Sequence, residues 1–251
     1  MAGHSHWANI SRKKALVDAK RGKLWSKLAK AIIVAAKMGG GDPDANLRLR
    51  YAIDDAKAIS MPKENIQRAI KRGTGELDGG NLEEVMYEGY GANGVAVLCE
   101  ILTDNRNRTA GEIRKIFELS DGKLGGNGCV AWMFESKGLF LVASEGADEE
   151  SLMDLALEAG ADDVQHLDDK FEITCSPTNY SAVAKALADA GITPEASQIT
   201  RIAANTVDIN DPDTAQKILK LIERLDDHED VQSVSSNYNI PDSVLQAIGA
   251  A

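Results

Sequence analysis

Wound at about 3.6 residues per turn, residues 13 to 37 place Leu24, Leu28, Ala31, Ile32 and Ala35 along one side of a helix. Lys13, Lys20 and Lys27 fall on one line beside that stripe, and Lys23, Lys30 and Lys37 fall on the next. Gly22 is a candidate break, and Gly39, Gly40 and Gly41 predict the end. Asp42 followed by Pro43 predicts the start of a second helix, with Leu49, Ala52 or Ile53, Ala56 and Ile59 as its apolar period. Pro62 opens a third, turning Ile66, Ala69 and Ile70 inward and Arg68, Lys71 and Arg72 outward before Gly73 stops it. The three segments predict a small helical bundle, and the glycine-rich stretch at 73–81 predicts a linker.

Beyond that linker the period changes. GVAVLCEIL at 94–102 reads as a buried strand, and Thr109 with Glu112 as a capping box for a helix through Ile113, Ile116 and Phe117. CVAWMF at 129–134 reads as the next strand. From residue 138 the chain runs GLFLVAS (strand), EESLMDLALEAG (helix), DVQHL and KFEITC (strands), YSAVAKALADAG (helix) and SQITRI (strand), which is a complete ferredoxin-like β-α-β-β-α-β unit. TVDI, a helix opened by Asp211 and Pro212 through Ile218, Leu219, Ile222 and Leu225, and VQSVSSNY then form a β-α-β without a neighbouring partner. The pattern predicts an α+β protein: an N-terminal three-helix domain (1–78), then two ferredoxin-like α/β domains, the second (136–203) inserted into the first (79–135 plus 204–251).

A length of 251 residues suits two or three domains, and 43% hydrophobic residues supply real cores. The three cysteines, Cys99, Cys129 and Cys175, offer neither a disulfide framework nor zinc spacing. No stretch has the apolar length of a membrane span or a signal sequence, so the lysine-rich head is read as part of the mature protein and a cytoplasmic location is expected. Charge changes the picture most. Residues 1–75 hold 16 basic and 6 acidic side chains, a balance of +10, while the remainder holds 12 and 33, a balance of −21, within an overall −11. Such a split predicts different partners for the two parts.

GHSHWANI at residue 3, DAKRGK at 18, RAIKRGTGEL at 68, YEGYG at 87, TDNRNRT at 103 and VAWMF at 130 resemble the YebC/PmpR family of bacterial proteins, whose mitochondrial relatives are translational activators of cytochrome oxidase. The resemblance implies a three-domain cleft shape, no enzymatic activity and a role in gene expression. The usual role is that of a DNA-binding transcriptional regulator; for some relatives it is a role in translation, with ribosomal RNA and the ribosome as partners.

The residues support a polyanion partner independently. A lysine row with Asp18 as the only acid among residues 1–37 is unlike the mixed signs of an ordinary solvated face, and it gains affinity by releasing phosphate counterions. The candidate nucleic-acid-binding residues are Arg12, Lys13, Lys14, Lys20, Arg21, Lys23, Lys27, Lys30, Arg68, Lys71, Arg72, Arg106 and Arg108. Arg106 and Arg108 lie beside a helix start, where guanidinium groups and backbone N–H groups grip phosphate together. The same TDNRNRT motif also shapes a loop and caps a helix, and the family resemblance favours the phosphate role. Trp7 and Trp25 can stack on bases, although Trp25 borders the apolar stripe and is expected in the core. DGKLGGNG at 121–128 lacks the ending of a phosphate loop and is expected to be a mobile connection. His4 and His6 form a His-x-His pair at a frayed end, His166 and His228 are expected to face solvent beside Asp168 and Asp227, and Cys99 and Cys175 to be buried in strands. No further ligand cluster accompanies His4 and His6, and no serine has a nucleophile elbow, so neither metal, catalysis, cofactor nor small-molecule substrate is expected.

Overall fold

The computed structural model describes residues 21–78, 81–145, 148–167 and 169–249. Helix α1 (Arg21–Gly39) runs through Gly22 without a break. Helices α2 (Leu47–Ala58) and α3 (Lys63–Gly73) pack on it, and Ile32, Ala35, Leu49, Ile53, Ala56, Ile66 and Ala69 form one buried cluster. The end of α3 lies so close to α1 that a Cβ on Gly73 would sit 2.4 Å from the Ile33 carbonyl oxygen. The expected start of the second helix at Asp42 and Pro43 is corrected. Asp42 instead accepts a bond from the Asp44 amide at 2.9 Å in a local turn, and Asn46 is the cap. Its Oδ1 accepts from the Leu49 amide at 3.1 Å while its Nδ2 donates to the Ala35 and Gly40 carbonyls at 2.8 Å, so one side chain starts α2 and finishes α1.

Strands β1 (Glu83–Tyr90) and β2 (Ala96–Thr103) follow as an antiparallel hairpin. Helix α4 (Arg106–Glu118) starts before the expected Thr109–Glu112 box, because Asn105 Oδ1 accepts the Arg108 amide at 3.1 Å and claims the cap. After β3 (Lys123–Leu124) the expected strand at 129–134 is a 3₁₀ turn, Ala131–Met133, and extended structure begins only at β4 (Phe134–Ala143). The cause is Glu88: its buried carboxylate accepts the amides of Gly128, Val130 and Ala131 at 2.6, 2.8 and 2.7 Å and curls the segment. Rather than a purely mobile connection, 121–128 thus carries β3 and ends on a pinned turn.

Helix α5 (Glu149–Glu158), β5 (Ala161–Leu167), β6 (Lys170–Cys175), α6 (Tyr180–Asp189) and β7 (Ala196–Ala203) complete an antiparallel sheet of order β5-β6-β4-β7 with both helices on one face. β8 (Val207–Asp208) pairs in parallel with β10 (Tyr238–Asn239) in a separate ribbon, so the strand expected at TVDI does not join the main sheet. Between them lie α7 (Pro212–Asp226), capped by Asp211 as expected, and β9 (Val231–Ser236); α8 (Asp242–Ala247) ends the described chain. The first sheet has the order β3-β1-β2-β9, with Val97, Cys99 and Ile101 packed against Ile113, Phe117, Ile218 and Leu221 of α4 and α7. The architecture is therefore α+β, a helical domain and two α/β sandwiches, the second interrupting the first. Arg201 of the inserted sheet bonds Glu100 at 2.7 Å, and Ser233 bonds the same carboxylate at 2.7 Å, joining the sandwiches.

Candidate nucleic-acid interface

The apolar period of α3 turns Ile66 and Ala69 into the bundle and leaves Arg68, Lys71 and Arg72 exposed, with no ion pair among the described residues. Lys71 and Arg72 occupy the last turn, where the helix dipole favours cations. Lys23 on α1 is exposed as well. All four are exposed cations of the described head.

Lys27 and Lys30 do not join them, which corrects the expectation of one continuous cationic face. The apolar stripe of α1 is committed to the bundle, and the turn beside it meets the body. Lys27 Nζ donates to the Asp226 carbonyl at 2.5 Å. Lys30 Nζ donates to the Glu229 carbonyl at 3.2 Å and lies 2.5 Å from Asp230 Oδ1. Asp230, only 1% exposed, also receives Arg108 at 2.9 Å, Thr109 Oγ1 at 2.8 Å and Thr103 Oγ1 at 3.2 Å. Burial opposes its charge, but the bonds from Lys30, Thr109 and Arg108 outweigh that opposition and hold the carboxyl at about 2.

Arg108 is thus paired within the protein, with Asp104 as a second acid at 3.0 Å. Within TDNRNRT the loop-shaping role prevails for Asp104, Asn105 and Arg108, while Arg106 stays exposed with Glu83 at 3.9 Å. Arg12, Lys13, Lys14, Lys20, Trp7, His4 and His6 lie outside the described residues, and Arg21 contributes its backbone to α1. Trp25 packs on the bundle and its Nε1 donates to the Ile59 carbonyl at 3.4 Å, as expected of a core tryptophan.

The head meets the body elsewhere too. Arg48 pairs with Glu84, and Tyr51 bonds Ser181 and packs edge-on to Tyr180 of the inserted domain at 5.2 Å. His228, expected to face solvent, is corrected: its side chain is 11% exposed, Nε2 sits 2.9 Å from Glu112, and Nδ1 accepts the Asp230 amide at 3.1 Å. Glu112, His228 and Asp230 place their donor atoms within 4.8 Å of one another, yet Lys30 and Arg108 already neutralise this corner, which opposes a divalent cation. His166 is exposed and stacks on Phe171, and Cys99 and Cys175 are buried in strands.

The comparisons with known proteins concern the whole length. A family model described as the TACO1/YebC protein N-terminal domain matches residues 5–76, and one described as the TACO1/YebC second and third domain matches 82–238. A probable transcriptional regulatory protein of Rhodopirellula baltica is 61% identical over 242 residues, covering 96% of this chain and 98% of the relative. One of Dictyoglomus turgidum is 52% identical over 249 residues, covering 99% and 100%. The crystal structure of a conserved hypothetical protein from Aquifex aeolicus superposes with a TM-score of 0.80 at 48% identity, covering 90% of this chain and 93% of that one.

Proposed function

The chain belongs to the TACO1/YebC family, and from that premise we infer that it is a nucleic-acid-binding regulator of gene expression, with DNA as the partner and the helical head as the gripping element. The observation that carries this reading is the exposed, acid-free trio Arg68, Lys71 and Arg72 on α3, in a head of balance +10. Each phosphate such a group neutralises releases condensed counterions and adds affinity without sequence preference. The body, at −21, repels polyanions and weights non-specific phosphate contact toward the head. The names of the relatives support a regulatory role, and the reading assigns the chain no catalytic step, metal or cofactor and a cytoplasmic place of work.

Changing Arg68, Lys71 and Arg72 together to Ala tests it by anisotropy titration of duplex DNA over a salt series. The logarithmic salt slope is expected to fall by about 2 to 3 units, near 0.9 per lost contact. A folded triple variant that binds as tightly as the parent sinks the reading. The same titration with ribosomal RNA separates the partners: tighter binding of RNA moves the function to translation.

A further inference from the structure

Trp132 is 73% exposed, a large aromatic surface left in water at the 3₁₀ turn beneath the first sheet. It is nonetheless held in place. Its Nε1 donates to the Cys129 carbonyl at 3.2 Å, and the turn that carries it is pinned by the three amides on the buried Glu88 carboxylate. The hydroxyl of Tyr90, itself 38% exposed, donates to the same Cys129 carbonyl at 2.9 Å, so the two aromatic tips converge on one atom. Lys123 is the cross-strand partner of Tyr90, is exposed and has no ion pair among the described residues. Gly126 and Gly128 precede the turn, and a Cβ on either would meet nothing within 4 Å.

We propose that Trp132, with Tyr90 and Lys123, is a stacking site for an unpaired base of a single-stranded nucleic acid, Lys123 receiving a flanking phosphate. Every base has a π-face, so a preorganised, exposed indole beside one cation suits single strands without demanding a sequence. A duplex hides those faces and gains nothing here. In an acidic body a site with a single lysine adds little to general polyanion attraction, so its selectivity is for unpaired bases. The site lies apart from α3, and the proposal rests on the nucleic-acid reading above.

The test is anisotropy titration of the full chain with a single-stranded poly-pyrimidine oligonucleotide and with a duplex of equal length. Trp132→Ala is expected to weaken single-strand binding by about 5- to 100-fold, as for loss of one base stack, and to leave duplex binding unchanged. Trp132→Phe keeps most of the affinity, and Lys123→Ala lowers the single-strand salt slope by about 0.7. Because Trp132 is exposed, its variants should keep the parental thermal midpoint. Parental single-strand binding by Trp132→Ala, alongside weakened binding by the Arg68, Lys71 and Arg72 variant, overturns this site and leaves the head intact as the gripping element. A parent that binds neither polymer overturns both readings.

Discussion

Two buried carboxylates respond to pH with opposite signs. Asp230 is held at about 2 by Lys30, Thr109 and Arg108, so its contribution is full above the usual carboxylate range and is lost as pH falls toward 2. Asp230→Asn leaves Lys30 and Arg108 facing a neutral group, and is expected to cost about 3 kcal/mol at pH 7 and almost nothing near pH 2, read from urea midpoints. Glu172 on β6 behaves the other way: burial, then the nearby charge of Asp163, pushes it up to about 7, and its Oε2 has no partner among the described residues. Folding therefore favours the protonated form, and stability falls as pH rises from about 4.5 through 7. Glu172→Gln is expected to stabilise the protein at pH 8 by up to about 3 kcal/mol and to match it at pH 4; equal midpoints at pH 8 refute the assignment. Neither role was legible in the sequence, because HEDVQ and KFEIT look like an ordinary turn and an alternating strand. Burial of an acid depends on which distant cation or sheet face arrives over it.

Elements whose burial is set by their own period were the legible ones. α1, α3 and α7 bury part of what their spacing nominates, Ile32 and Ala35, Ile66 and Ala69, and Ile218 and Leu225. Leu219 and Ile222 of α7 are half-buried, and Ala215 and Leu221 take the core instead. The ferredoxin-like unit from β4 to β7 follows its signals in order. β1 was not anticipated: EEVMYEGY has charges and a glycine in place of clean alternation, and it becomes a strand because β2 pairs along its whole length. The run at 129–134 misled for the converse reason, since its apolar side chains suit a strand while its amides are captured by Glu88. Glu88→Gln should test that cause. The amide side chain replaces one acceptor oxygen with a donor, so protection from hydrogen exchange should drop at Gly128, Val130 and Ala131 while α4 is unaffected, with a cost of about 1 to 3 kcal/mol. Unchanged protection at those amides would mean that the turn is held by its apolar packing alone. The cap at Asn46 is similar in kind, and Asn46→Ala, which removes bonds to both α1 and α2, should cost about 1 to 2 kcal/mol of thermal stability.

At the scale of the molecule the charge division was plain in the sequence, and the docking that consumes part of it was not. Lys27 and Lys30 share the lysine pattern of α1 with Lys23, and the approach of the turn after α7 separates the two that bind the body from Lys23, which stays exposed. That separation makes a direct comparison available. Lys30 loses little water-exposed charge when replaced, because Asp230 already neutralises it, whereas each residue of the α3 trio faces solvent unopposed. Lys30→Ala is therefore expected to lower the thermal midpoint by several degrees, about what 1 to 2 kcal/mol gives in a protein of this size, while leaving the salt slope of DNA binding unchanged. Arg68→Ala should do the reverse, reducing the slope by about 0.9 at an unchanged midpoint. If Lys30→Ala lowers the slope by a full contact instead, the head must leave Asp230 when it meets phosphate, and the docked arrangement is then the unliganded state rather than the binding one.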